Sequence, residues 1–248
     1  MRALVIIPTY NERENIPQLV PAILGQGEHF DVLVVDDNSP DGTGEIADAL
    51  ASTQPRLHVI HRPGKAGLGT AYVAGFKLAL EQGYEAVFEM DADFSHSPDD
   101  LPRLLAAVQQ ADVAIGSRWI PDGGTQNWSL LRKFISRGGS QYAKLILGVP
   151  MNDLTSGFKC FSSHVLARLD LDAIHSNGYA FQVEVNYFCH RLGYRIVEIP
   201  IMFVDRRVGH SKMSAGIVLE AMAVCWKLRL AGTVPLAATA RYSRIPRT

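Results

Sequence analysis

The stretch VFEMDADFSHSPDDL, residues 87–101, holds the reading on which the fold turns. A short apolar run stops at Asp91-Ala92-Asp93. Ser97-Pro98-Asp99-Asp100 then offers a helix start: a capping hydroxyl, proline at the first position, and acids that the helix dipole favours. A strand that feeds almost directly into a helix is one unit of an α/β fold. The same unit recurs on both sides. The runs ALVIIP (3–8), DVLVVDD (31–37), LHVIH (57–61), EAVFEMD (85–91) and DVAIGS (112–117) alternate with helical patterns. Leu68, Tyr72, Phe76 and Leu80 recur at helical spacing and predict a helix over 67–82, with Gly83 placed to end it. Pro17 and Pro21 weaken the helical signal after the first run. Strands alternating with helices predict a mostly parallel sheet covered on both faces. Ligands then bind beyond the carboxyl ends of the strands.

The second half is less regular. A polar loop (121–127) leads into a predicted helix over 128–147, followed by MNDLTSGFKCF (151–161). A helix near 180–192, a strand near 195–201 and an amphipathic helix near 214–230 complete the reading. No internal repeat and no linker divides the chain. The expectation is one domain over 1–231 and a poorly ordered basic tail over 232–248.

Composition excludes several classes. With 248 residues and a net charge of −1 there is no bulk attraction to nucleic acid, so any anion site must be local. Cys160, Cys189 and Cys225 are odd in number and far apart, without metal-ligand spacing or a disulfide framework. Buried thiols in a reducing cytoplasm are the expectation. The apolar run before Pro8 is too short for a signal peptide. No stretch reaches the roughly 18–20 apolar residues of a membrane span. The protein is expected to be soluble or to rest on a membrane surface.

Polar clusters stand at four strand ends: Pro8-Thr9-Tyr10-Asn11-Glu12, Asp36-Asp37-Asn38-Ser39-Pro40-Asp41-Gly42, Asp91-Ala92-Asp93, and Gly116-Ser117-Arg118. Each alone is also ordinary turn chemistry. In an extended chain residues i and i+2 project to the same side, so Asp91 and Asp93 can converge on one point. Two such carboxylates repel each other unless a cation lies between them. Oxygen ligands suit Mg²⁺ or Mn²⁺, with substrate phosphates completing the shell. The alternative is that Asp93 belongs to a solvated loop. RPGKAGLGTAYVAG (62–75) lacks the spacing of a P-loop or a dinucleotide fingerprint, and its glycines read as a tight turn into a closely packed helix. Basic residues gather later. Arg118, Arg132, Lys133, Arg137 and Lys144 stand against one acid, Asp122, within 118–144, and 203–212 adds Arg206, Arg207 and Lys212. They are either solvated surface or the anion-binding counterpart of an acidic metal site.

Taken in order, PTYNERENIP, VVDDNSPDGT, KAGLGTAYVAGF, MDADFSHSP, GSRW, RKFISRG, DLTSGFK, GYAFQVE and FVDRRVGHSK resemble the dolichol-phosphate mannosyltransferases (polyprenol monophosphomannose synthases). The likeness runs from residue 3 to about residue 230. It implies an α/β, Rossmann-like GT-A nucleotide-sugar transferase domain with a mostly parallel central sheet. It implies donor contacts at Pro8, Tyr10, Glu12, Val35 and Asp37, and diphosphate and metal contacts at Asp91, Ala92 and Asp93. Arg118, Arg206 and Lys212 complete the donor set, and Arg132, Ser136 and Arg206 lie where the acceptor phosphate binds. Asp91, Asp93 and Arg118 are the implied catalytic residues. Some relatives carry Gln two residues after the second Asp as a further metal ligand; Ser95 stands there in this chain.

The reaction so implied takes mannose from GDP-mannose to a polyprenyl or dolichyl phosphate with inversion, assisted by Mg²⁺ or Mn²⁺. An acceptor phosphate is already anionic near neutral pH, so no general base is assigned; Asp153 and Glu184 are the runner-up carboxylates. The lipid acceptor places the enzyme on the cytoplasmic face of a membrane. The last helix offers Ile217, Val218, Leu219, Met222, Val224, Cys225 and Trp226 beside Lys227 and Arg229, and Arg241, Arg244 and Arg247 follow. An interfacial helix, a helix packed on the domain, and docking on a small membrane anchor subunit all fit this pattern. The rivals are a related transferase with another donor such as UDP-glucose, and a non-catalytic nucleotide-sugar-binding protein.

Overall fold

The computed structural model of the chain describes residues 1–174, 176, 178–205 and 215–237. In chain order the elements are β1 (Ala3–Thr9), α1 (Ile16–Leu24), β2 (Phe30–Asp36), α2 (Thr43–Ala51), β3 (Leu57–His61), α3 (Leu68–Glu81), β4 (Ala86–Glu89), α4 (Leu101–Val108), β5 (Val113–Ser117), β6 (Gly124–Gln126), α5 (Leu130–Leu147), β7 (Lys159–Ser162), α6 (Ser163–Arg168), α7 (Gly178–Arg191), β8 (Ile196–Pro200), β9 (Met202–Val204) and α8 (Ala215–Ala231). Seven strands form one sheet in the order β3-β2-β1-β4-β7-β5-β8. All pairings are parallel except those of β7, which runs antiparallel to both β4 and β5. The expected mostly parallel α/β sheet is therefore present.

The strands are unbroken apolar runs because helices cover both faces of the sheet. Along β1, Leu4 and Ile6 join the core that includes Tyr72 and Phe76 of α3 and Phe181 of α7. Val5 and Ile7 join the opposite core, with Ile16 and Leu19 of α1 and Leu104 of α4. Each such side chain removed from water contributes about 1.5–3 kcal/mol. α3 lies so close to β1 that a Cβ on Gly75 would stand 2.7 Å from Ile6 Cδ1. α1 forms despite Pro21 inside it, because Ile16, Leu19, Val20, Ile23 and Leu24 are all buried. Ser97 caps as read: its side chain accepts from Asp99 N at 3.3 Å, and a single 3₁₀ turn at Pro98–Asp100 precedes α4.

Three features depart from the sequence reading. β7 inserts into the sheet from within the DLTSGFKCF segment, and β6 pairs with β9 in a separate parallel ribbon. The stretch after α8 is docked as far as the structure describes it. Asp170 N donates to Pro235 O and Ala237 N to Arg168 O, both at 3.1 Å, so residues 232–237 are not the loose tail expected. Residues 238–248 lie outside the described residues.

This topology fixes the site. β1, β2, β4 and β5 run parallel, so Thr9, Asp36, Glu89 and Ser117 all end on one sheet edge. β7 enters from that same edge, which brings the 153–158 loop to it. Register places Glu89 opposite Lys159 in the β4–β7 pair.

Candidate active site

The β1 and β2 ends lock together first. Thr9 Oγ1 donates to Asp36 Oδ1 at 2.9 Å, and Ser39 donates to Asp36 through N (3.0 Å) and Oγ (2.6 Å). Asp36 is thus spent on the turn, whereas the next carboxylate faces the loop before α3. Arg62 Nη1 lies 2.9 Å from Asp37 Oδ1, and both side chains are mostly buried. Burial pushes the Asp37 carboxyl up, and the Arg62 guanidinium opposes that shift. Lys65 Nζ sits 4.4 Å from the centre of the Tyr10 ring. Tyr10 and Asp37, expected from the sequence, are therefore joined by Arg62 and Lys65, which were read only as part of a failed phosphate loop. Pro8 is half-buried beside them. Glu12 holds Asn15 Nδ2 at 2.7 Å, and its own N–H donates to Thr43 Oγ1 at 2.9 Å. Val35 lies wholly in the core and exposes no side chain.

The β4 end carries the acidic turn. Ala92 and Asp93 are buried, while the Asp91 side chain is about one-third exposed (35 %). Ser95 N donates to Asp93 Oδ1 at 3.0 Å, and Phe94 takes φ +60° to make the turn. His96 is buried, stacked on Phe158 at 4.9 Å and edge-on to Phe203 at 5.2 Å. Burial lowers its pKa to about 4, so near neutral pH the ring is uncharged and Nδ1 accepts from Asp91 N at 3.3 Å. The histidine shapes the turn.

This turn fits a hard divalent cation. Among the described residues no group of three or more His, Cys, Asp or Glu side chains is placed to hold a metal ion, so a cation on Asp91 and Asp93 would take its other ligands from substrate oxygens and water. The local field is negative: the buried Tyr72 phenol is pushed well up, first by burial and then by Asp91, Glu89 and Asp93. Ser95 Oγ is buried beside this turn without a hydrogen-bond partner.

The β5 end supplies the opposite charge in a committed form. Arg118 is buried and grips Asp153 with Nε (2.7 Å) and Nη2 (2.6 Å), while its own N–H donates to the same carboxylate at 2.9 Å. The Trp119, Trp128 and Phe203 rings surround its guanidinium at 5.4–5.6 Å. Arg118 thus forms a buried wall at the β5 end, and Asp153 is its structural counter-ion. Glu198 fixes the wall in turn, accepting from Ser117 Oγ (2.7 Å), Asn152 N (2.9 Å) and Asp153 N (3.0 Å). Glu184 is also buried and accepts from Ser176 N at 3.2 Å.

On α5, Arg132, Ser136 and Ser140 recur every four residues and share a face. Ser140 Oγ lies 3.2 Å from Thr155 Oγ1, which accepts from Arg118 Nη2 at 3.0 Å. This face therefore looks along the Arg118 wall. Arg132 sits 4.0 Å above the Trp128 ring and pairs with Asp205 at 2.6 Å. Arg206 and Lys212 lie outside the described residues.

The same helix turns its other side outward. Leu130, Leu131 and Phe134 are 84 %, 68 % and 78 % exposed, and Leu145 continues the stripe. α5 packs against α8, whose Trp226 and Leu230 are also exposed. Among the described residues no helix is long and apolar enough to cross a membrane.

Residues 4–170 match the family described as Glycosyl transferase family 2. An undecaprenyl-phosphate mannosyltransferase of Micrococcus luteus is 53 % identical over 222 residues, covering 90 % of this chain and 91 % of that protein. A polyprenol monophosphomannose synthase of Mycolicibacterium smegmatis is 48 % identical over 223 residues, covering 89 % and 84 %. Among solved structures, glucosyl-3-phosphoglycerate synthase of Mycobacterium tuberculosis in complex with UDP superimposes with a TM-score of 0.66 at 17 % identity, covering 99 % of this chain and 81 % of that one. A mannosyltransferase of Pyrobaculum calidifontis in complex with GDP-Man and Mn²⁺ gives 0.55 at 17 % identity, covering 93 % and 73 %. These two share the fold.

Proposed function

The chain belongs to glycosyl transferase family 2, and from that premise we propose that it transfers mannose from GDP-mannose to a polyprenyl phosphate, releasing GDP and inverting the anomeric carbon. The names of the two relatives at about half identity support the sugar and the lipid acceptor. The observation that carries the reading is that the Asp91–Asp93 turn after β4 and the Arg118–Asp153 pair after β5 stand at one sheet edge, with α5 tied to that pair through Ser140 and Thr155.

Tyr10 and Lys65 receive the nucleoside, with Asp37 and Arg62 fixing the loop beneath it. Asp91 and Asp93 would hold the divalent metal, Mg²⁺ or Mn²⁺, which when bound neutralises charge on the departing diphosphate. Arg132 and Ser136 receive the acceptor phosphate, whose anionic oxygen forms the new bond to the anomeric carbon as the bond to the diphosphate breaks. That oxygen needs no proton removed, in keeping with the structural employment of Asp153 and Glu184. Arg118, neutralised by Asp153, serves as a rigid wall beside the site rather than as a free cation.

A lipid acceptor must be met at its bilayer. Leu130, Leu131 and Phe134, flanked by Lys133 and Arg137, provide an apolar face rimmed by cations, and Trp226 and Leu230 of α8 extend it. This supports peripheral attachment to the cytoplasmic face of a membrane, centred on α5 as well as on the last helix. The test is a donor screen with polyprenyl phosphate and Mg²⁺ or Mn²⁺, reading released nucleoside diphosphate. GDP-mannose turnover is the expected result; turnover with UDP-glucose alone, or binding of donors without transfer, would overturn the assignment.

A further inference from the structure

Two arginines of the site are paired with aspartates, and unequally. Arg118 gives Asp153 two side-chain nitrogens and its own N–H, and the two side chains are 4 % and 0 % exposed. Arg132 reaches Asp205 through Nη1 at 2.6 Å, and these side chains are 18 % and 34 % exposed. The first pair is locked. The second can exchange, because its carboxylate can turn to water while the backbone beneath it stays in place. Val204 N donates to Ser95 O at 3.2 Å and Asp205 N to Gln126 O at 3.1 Å, which anchors the end of β9 on both sides. Arg132 also has a second support. Its guanidinium lies 4.0 Å above the Trp128 ring, which packs edge-on against Phe203 at 5.1 Å. The cation therefore keeps its place when the carboxylate leaves.

Arg132 is assigned above to the acceptor phosphate, and the inference rests on that reading. Its Nε is buried and has no hydrogen-bond partner among the described residues. An incoming anion therefore meets the guanidinium through its Nη nitrogens, and forked pairing needs the one that Asp205 holds. Near pH 7 a phosphomonoester carries about −1.5 to −2 charges and three accepting oxygens, against one charge on a carboxylate. We propose that Asp205 stands in for the acceptor phosphate: it holds Arg132 over Trp128 and gives up Nη1 when the phosphate arrives. Asp205 is thus a specificity-determining residue, selecting an acceptor with more charge than the carboxylate it displaces.

The test is titration calorimetry of the full chain, loaded with Mg²⁺ and GDP, with farnesyl phosphate as a short acceptor probe. The variants are Asp205→Asn, which keeps the side-chain shape and loses its charge, Arg132→Ala, and the two combined. Asp205→Asn is expected to bind farnesyl phosphate about three- to fivefold more tightly than wild type, the strength of a partly exposed ion pair. Its GDP affinity should stay within about 1.5-fold. In the Arg132→Ala background the same substitution should change farnesyl phosphate affinity by less than about 1.5-fold. Weaker or unchanged binding in Asp205→Asn overturns the stand-in, weaker binding being the mark of a residue that only positions Arg132. A gain that persists in the Arg132→Ala background overturns it as well, since the carboxylate then acts through its general field. Both results leave the acceptor-phosphate reading standing. Arg132→Ala protein that binds farnesyl phosphate as wild type does, or wild type that does not bind it, overturns that reading and the stand-in with it.

Discussion

Replacing Asp153 by alanine isolates the contact on which the Arg118 wall depends. The carboxylate is fully buried, the Arg118 side chain is 4 % exposed, and three hydrogen bonds of 2.6–2.9 Å join them. At such burial solvent screening is weak, and truncating one partner strands a cation. The expected cost is about 3–5 kcal/mol. For a chain of this length each kcal/mol moves Tm by about 2–4 °C, so a fall of roughly 6–20 °C is expected. The control is Arg118→Met combined with Asp153→Leu. It removes both charges; the N–H at position 118 loses its acceptor, at about 1–3 kcal/mol, and Thr155 Oγ1 loses a long 3.4 Å contact while keeping Ser140 Oγ. The double variant should therefore be more stable than the single one. Urea unfolding followed by circular dichroism reads both. An Asp153→Ala protein within about 1 kcal/mol of wild type, or a double variant less stable than the single one, refutes the reasoning.

Other consequences are as specific. Burial pushes Cys189 up to about 12 and Cys225 up to about 11, and raises Cys160 well above the ordinary thiol range, so a disulfide reagent at pH 8 should label native protein slowly and all three thiols only after denaturation; rapid stoichiometric labelling of the native chain contradicts this. Burial already raises the Glu89 carboxyl, and Lys159→Met removes the charge that opposes the shift. An acid whose folded pKa exceeds its unfolded value loses stability as pH rises above about 4.3, so this variant should melt lower at pH 8 than at pH 5.5 by more than wild type does; parallel melting profiles count against the pair. Phe134→Glu changes a side chain that is 78 % exposed, so stability should move by less than about 0.5 kcal/mol while flotation with anionic liposomes is lost; undiminished flotation removes α5 from the lipid surface.

The parallel part of the sheet was legible because its strands are apolar on both faces and each ends in polar residues. Helical spacing with a flanking glycine placed α3 within a residue at each end. β7 was not legible: four residues in a fully buried strand show no alternation, and their partners lie far off in sequence. The turn after β4 was legible as a strand end carrying two acids, but the employment of Arg118 was not. Its partner Asp153 is 35 residues away, and no local spacing signals a pairing of that kind. Arg62 and Lys65 were hidden because the segment was tested for phosphate-loop spacing, whereas their neighbours are Asp37 and Tyr10 across the sheet edge.

The central claim is that the Asp91–Asp93 turn joins a divalent cation to the donor diphosphate. Crystals grown with Mn²⁺ and GDP-mannose, and measured at the manganese absorption edge, test it most directly. The account requires an anomalous peak coordinated by these carboxylates and by diphosphate oxygens, absent in Asp93→Ala. Manganese bound elsewhere, or donor diphosphate ordered in the cleft with no metal on this turn, would contradict it.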